Sequence, residues 1–312
     1  YQPLKLFIGP VTGPEVYAMR PSWPQDELDE LVYEFGGVPR KWDFYHKLID
    51  ENEKVEMKKE QVSSLRAVVR HVRDSTDFRS FSHDMKELRR AFMIYPTSIN
   101  GEVVDVDTTF SIGWSCDRIK VAIYNHIATL EFADKILLAK QASGEIAGVF
   151  YERALFAFIE QGGKFSATAF ADRNVTIDLG TGDPVDVHWF CHPNSKEVIP
   201  DHVPRMGLCV PYIPNYPTID GILYNEGIAY PLQATVAASH SLALRGLTYL
   251  DHLPQGVWKD RRIIFVVPSL GIFANSDQKI VGKSVYPNKI SQYVALVSIE
   301  MMEELRDTLK KR

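Results

Sequence analysis

Hydrophobic positions recur along this chain with two different periods, and the change of period divides it. In residues 25 to 50, Leu28, Leu31, Val32 and Phe35 recur at helical spacing. That predicts an amphipathic helix ended by Gly36-Gly37, with Pro39 opening a second. Residues 51 to 74, ENEKVEMKKEQVSSLRAVVRHVRD, predict a charged helix or helix pair whose mixed signs fit a solvated face. Between Met93 and Tyr124 the apolar runs shorten around an Asn100-Gly101 turn signal, which predicts a small α+β connector. Helical periodicity returns over residues 127 to 161, is broken at Gly144, and stops at Gly162-Gly163.

After that stop, strand patterns dominate: FSATAF, NVTIDLG, DPVDVHWF, TIDGILY, IAYPLQATV and RRIIFVVP. Helices are predicted over 239 to 253 and 289 to 311. The order helix, several strands, helix, strand, helix predicts an α/β fold with a mixed sheet. The layout is a helical region over 1–50, an α+β or winged-helix-like connector over 51–126, and a mixed-sheet domain over 127–312. Neither internal repeats nor low-complexity segments interrupt it.

With 312 residues, 45% of them hydrophobic and 24% charged, the chain can bury a real core. A net charge of -5 and a pI near 6.0 argue against a nonspecific coat for nucleic acid or anionic membrane, while leaving room for one local basic groove. No apolar run approaches the roughly 20 residues a membrane span needs. Cys116, Cys191 and Cys209 show neither paired spacing nor a CxxC, which fits a reducing compartment without disulfides. His188 and His192 flank Cys191 in HWFCH, but the pattern is strand-like and lacks a full zinc ligand set. The chain opens at Tyr1 without methionine or signal peptide, as expected for part of something longer.

The segment TIDGILYNEGIAYPLQATVAASH has the outline of a hairpin with an acid in its first strand. A two-residue Glu226-Gly227 loop pairs Asn225 with Ile228. Five steps back along each strand, Asp220 then faces Gln233, with Cβ atoms roughly 5 Å apart. Thr235 shares the face of Gln233. Both strands are apolar on both sides, as central strands are. A polar cluster there reads either as a site or as a satisfied buried network.

Three stretches, read together, carry a family resemblance. ELVYEFGGVPRK is similar to the GGVPR turn that follows the nucleotide-binding part of a class of signalling ATPases. GEIAGVFYERALFAFIEQGGKF resembles the opening helix of the nuclease-like domain of Crinkler and retrotransposon hot spot proteins. There a glutamate follows an aromatic residue. NYPTIDGILYNEGIAYPLQATVAASHSLALRGL resembles that family's core hairpin, with its D…QxTxxxxH pattern, and RRIIFVVP resembles the next strand.

The resemblance implies a restriction-endonuclease-like fold of the PD-(D/E)xK kind, with the ATPase half outside this chain. It implies Mg2+ held by a helix acid, Glu152, a strand acid, Asp220, and a ligand at Gln233, with Thr235 at the position of the family's lysine and His240 closing the motif. Gln233 can offer a neutral oxygen to a hard cation, whereas Thr235 cannot supply positive charge, so water activation is left unassigned. The implied role is that of a secreted or genome-associated effector, a hydrolase acting on nucleic acid, DNA more than RNA, in a nucleus, often a host's. The alternative is a catalytically silent module binding nucleic acid or host proteins.

Each residue also has a plainer reading. Glu152 can pair with Arg153. His240, after a Ser239 N-cap, can be a surface residue or a phosphate donor at a helix start. Lys164 and Lys259 are the lysines closest to site-forming segments and are candidates for the missing cation, though lysines are mostly solvated. Lys164, Arg245, Lys259, Arg261 and Arg262 are the candidate contributors to a basic patch. His83 reads as structural, and Arg40 as part of the ATPase junction.

Overall fold

The computed structural model describes residues 24–26, 28–29, 52–56, 92–96, 98–99, 102–103, 110–114, 117–142, 144–180, 182–190, 204–211, 218–271, 273, 278–282 and 285–311. The GGVPR turn with Arg40, and Asn100, Gly101, His83, Cys116, Cys191 and His192, lie outside them. The chain divides into two compact units, residues 1–127 with 141–146, and residues 128–140 with 147–312. Among the described residues no helix is long and apolar enough to cross a membrane.

In the first unit, residues 25–26, 28–29 and 52–56 are helical. Strands β1 (Phe92–Pro96) and β4 (Phe110–Trp114) pair antiparallel, as do β2 (Ser98–Ile99) and β3 (Glu102–Val103). Helix α1 (Asp117–Ala128) follows.

The second unit is a mixed α/β domain. Helices α2 (Phe132–Gln141) and α3 (Gly144–Glu160) lead into β5 (Ser166–Ala169), β6 (Thr176–Asp178), β7 (Val187–Phe190), β8 (Met206–Pro211), β9 (Gly221–Asn225) and β10 (Ile228–Ala234). After the two-residue β11 (Leu242–Ala243) come α4 (Leu244–Leu250), β12 (Arg262–Val267), the two-residue β13 (Ile280–Val281), β14 (Ser291–Leu296) and α5 (Ile299–Leu309). Eight strands form one sheet in the order β6-β5-β14-β12-β10-β9-β8-β7. The central strands β10, β12 and β14 run parallel, and the hairpin β9-β10 and the edge pair β5-β6 are antiparallel.

Both faces of the sheet are covered, which explains why IIFVV, Ile263 to Val267, reads as an unbroken apolar run. Tyr151, Leu155 and Phe158 of α3, with Met302 of α5, pack on Leu223, Leu232 and Ile264. Leu247 and Leu250 of α4 pack with Ile222, Tyr224 and Phe265. Each fully buried aliphatic side chain contributes roughly 1.5–3 kcal/mol. Helix α3 is buried on every side from Val149 to Ile159, as its lack of a polar face requires.

Two predicted helices are shorter in the structure. Residues 291–296 form β14, and α5 begins only at Ile299, where Ser298 accepts the Met301 N–H at 3.3 Å. SQYVAL is rich in residues that fit a pleated surface. Over 239–253, α4 starts at Leu244, so Ser239 caps nothing and Ala243 occupies the N-cap without a side-chain bond. Pro231, inside a central strand, faces Ile222 at a position where its nitrogen points away from β9. Pairing with β12 starts only at Leu232, so the missing N–H breaks no ladder bond.

Candidate functional site

The hairpin folds in the predicted register from Asn225 opposite Ile228 to Gly221 opposite Leu232. Glu226 and Gly227 take φ of 53° and 77°, the left-handed pair that a two-residue turn needs to match strand twist. The ladder runs regularly as far as Gly221 opposite Leu232. At Asp220 it changes, because the Asp220 N–H also turns to the Leu232 carbonyl, at 2.8 Å. Two residues then answer to one, the signature of a β-bulge, which bends a strand and re-aims a side chain.

The re-aimed carboxylate enters the ladder itself. Asp220 Oδ2 accepts from Gln233 Nε2 at 2.5 Å and from the Ala234 N–H at 2.8 Å. In a continued antiparallel ladder that N–H would donate to the carbonyl of residue 219. The carboxylate replaces that carbonyl, and Gln233 braces it from the side. Asp220 is 9% exposed and Gln233 4%, so these bonds satisfy groups with little access to water.

Upstream, Thr218 sits at φ 75° although it is β-branched, a conformation that costs of order 1–3 kcal/mol and persists only where its surroundings impose it. Its Oγ1 donates to the Ala243 carbonyl at 2.5 Å, tying the start of the hairpin to the start of α4. Downstream, the Thr235 N–H reaches the Val266 carbonyl at 3.0 Å, and Thr235 Oγ1 accepts the Ala237 N–H at 3.1 Å. A Cβ on Gly221 would stand 3.2 Å from the Cys209 carbonyl and from the Phe156 ring, so a larger residue there requires both neighbours to give way. Thr218 and the Ala234 amide carry no sequence signal of their own.

Glu152 is 8% exposed on α3 and makes further polar contacts, as does Arg153. The Arg153 guanidinium lies 4.9 Å from the centre of the Trp189 ring. Neighbouring Tyr151 donates to the Val297 carbonyl, just past β14, at 2.9 Å. Tyr151 is thereby tied to the end of β14, and Asp220 is bonded to Ala234 at the end of β10, which runs the same way. Leu232 and Ala234 pack under α3, so by alternation Gln233 leaves the sheet on the α4 side.

His240 is held elsewhere. Its N–H donates to Gln278 Oε1 at 2.8 Å, and Gln278 is locked to Gln292 on β14, two strands from β10. Its ring Nδ1 is 3.1 Å from the Ser241 carbonyl.

Neither candidate lysine lies near the Asp220 end of the hairpin. Lys259, with Arg261 and Arg262, stands at the beginning of β12, four residues before Val266 in the case of Arg262, or about 13 Å along the strand. Arg261 is bonded to Asp251 at 3.3 Å and Arg262 to Asp260 at 2.6 Å. Lys164 precedes β5, three strands from β10, about 14 Å across the sheet. Arg245 lies against Tyr249 within α4.

Under the hairpin, burial pushes the Cys209 thiol up to about 12. Burial, reinforced by the nearby Cys209, raises the Tyr224 hydroxyl as well. Both are inert packing groups at neutral pH. Compared with protein-family models, curated proteins and solved structures, the chain matches none.

Proposed function

We propose that residues 128–312 form a nuclease-like module of the restriction-endonuclease-like kind that binds nucleic acid without cutting it. The fold part of this reading is supported by the acid-bearing helix α3, followed by the hairpin that carries Asp220 and Gln233. The silent part rests on one observation, the engagement of Asp220 Oδ2 by Gln233 Nε2 and the Ala234 N–H.

Mg2+ does not fit the side chains as they stand. It requires oxygen ligands in near-octahedral array, whereas Gln233 turns its NH2, a donor, toward the carboxylate. Helix α3, which carries Glu152, lies over the face opposite the one Gln233 leaves from, and neither Lys164 nor Lys259 supplies the cation that Thr235 lacks. One feature supports the rival reading, metal-dependent phosphodiester hydrolysis: Tyr151, next to Glu152, is bonded at the end of β14, and Asp220 at the end of the parallel strand β10.

The test is titration of the full chain with labelled single- and double-stranded DNA and RNA across a salt series, together with plasmid incubation in Mg2+, Mn2+ or EDTA. The expectation is binding that falls about tenfold between 50 and 200 mM salt for every two phosphates neutralised, with no cleavage. Metal-dependent cleavage lost in Asp220→Ala refutes the silent reading. Affinity that stays flat with salt points to a protein partner, such as a host protein.

A further inference from the structure

At the β5-β6 edge of the sheet lies an open cavity of about 650 Å³. Its floor follows from strand alternation. Ala167 and Ala169 turn into the core, leaving Ser166 and Thr168 on the opposite face, where Thr168 pairs with Thr176 and Ser166 with Asp178. All four residues line the cavity. Among the described residues, none of the hydroxyls of Ser166, Thr168 and Thr176 makes a hydrogen bond within the protein.

Two cations enter the same space. Lys164 lies along a bed made by two glycines. A Cβ on Gly180 would fall 2.5 Å from the Lys164 Cα, and one on Gly182 would fall 2.6 Å from its Cε. Any side chain at either position would push the lysine out, and Gly182, at φ 71°, is also in the left-handed region. Arg173 is presented by the β5-β6 loop, which Asp172 shapes by accepting the Asn174 N–H at 3.0 Å. Among the described residues neither cation makes an ion pair, so both charges remain available to a ligand.

The rest of the lining is apolar and unusually open. Leu270 is 43% and Leu296 37% exposed, and Met301 joins them. A cavity with two free cations and three free hydroxyls on one side and bare aliphatic surface on the other suits a ligand with an anionic head and a flat apolar body. Asp178, whose Oδ1 accepts the Gly180 N–H at 3.2 Å, adds an acceptor for a hydroxyl. The volume lies within the range of small-molecule sites.

We propose that this cavity is a nucleoside phosphate site: Lys164 and Arg173 hold the phosphate, Asp178 the ribose, and Leu270 and Leu296 the base. The ligand is either a free nucleotide or the phosphorylated end of a nucleic-acid strand. The site stands independently of the Asp220 centre.

The test is calorimetric titration of the full chain with the four ribonucleoside monophosphates, the matching nucleosides and inorganic phosphate. A dye-labelled oligonucleotide with and without a 5′-phosphate is titrated by anisotropy. A phosphorylated probe should saturate at least about tenfold more tightly than its unphosphorylated counterpart, and Lys164→Ala and Arg173→Ala should each weaken it about tenfold, as loss of a charge-assisted bond does. Lys289→Ala, a charge-matched control elsewhere on the surface, should leave the affinity unchanged. Tight binding of mononucleotides supports the free ligand, and binding of only the 5′-phosphorylated strand supports the strand end. Failure of every probe to saturate into the millimolar range overturns the proposal, as does affinity indifferent to Lys164→Ala and Arg173→Ala in variants that melt like the parent.

Discussion

Replacing Asp220 with alanine removes one carboxylate and leaves two donors stranded, the Ala234 N–H and Gln233 Nε2. Each buried donor without a partner costs about 1–3 kcal/mol. Relief of the carboxylate's own desolvation offsets part of this, for a net loss of about 2–4 kcal/mol. At a urea slope near the upper end for single domains, about 3 kcal/mol per molar, the midpoint should fall by about 1 M. Gln233→Ala loses less, because the carboxylate keeps the Ala234 amide. A double-mutant cycle should then give a coupling of about 1–2 kcal/mol between the two side chains. Hydrogen exchange across residues 232–235 reports on this sheet alone and should accelerate in Asp220→Ala. Asp220→Asn, which keeps an acceptor in place, should recover most of the loss. An Asp220→Ala variant as stable as its parent, with residues 232–235 still protected, would falsify the structural reading and return Asp220 to chemistry.

Two further outcomes follow from the neighbouring layer. Among the described residues Tyr224 has a buried hydroxyl with no hydrogen-bond partner, so Tyr224→Phe should be neutral or stabilise by up to about 1 kcal/mol in the same denaturation assay; a clear loss would reveal a bond. Burial raises the Cys209 thiol from 9.0 to about 12, so the unfolded chain releases that proton first. Stability should therefore hold below pH 9 and decline above it, by up to about 1.4 kcal/mol per pH unit, and less steeply in Cys209→Ala; an identical alkaline slope in that variant refutes the assignment.

Local periodicity made much of this fold readable. The Gly162-Gly163 stop, the Glu226-Gly227 turn and the apolar run of β12 are set by neighbours in sequence, and each forms where the pattern puts it. The hairpin register, from Asn225 opposite Ile228 to Gly221 opposite Leu232, follows from the turn alone. The bulge does not, because it shows only across the ladder, in the Asp220 N–H turning to the Leu232 carbonyl and its carboxylate reaching the Ala234 N–H. The split of 289–311 into strand and helix was hidden for a similar reason. Gln292 and Tyr293 are compatible with either state, and the parallel partner β12 decides. Lys259 and Lys164 are both close in sequence to site-forming segments, yet strand direction sends the first to the far end of the sheet and strand order puts the second three strands away.

That separation bears on how the two polar regions work. Gln233, Phe265, Val294, Thr168 and Thr176 form one row across the sheet. Over that row Phe265, Phe273 and Phe170 pack together, with Phe265 and Phe273 centroids 5.4 Å apart and Phe170 and Phe273 6.1 Å apart. An aromatic wall of this kind has no polar group to pass a change in charge from one side to the other, and sites more than about 10 Å apart without shared partners act additively. The Asp220 joint and the Lys164 cavity are therefore separate devices on one scaffold. The first closes a ladder and asks nothing of a ligand. In the second, free charge and bare apolar surface face the same solvent-open space. Burial that leaves Asp220 satisfied makes it a poor place to look for binding, and the unsatisfied edge of the same sheet makes a better one.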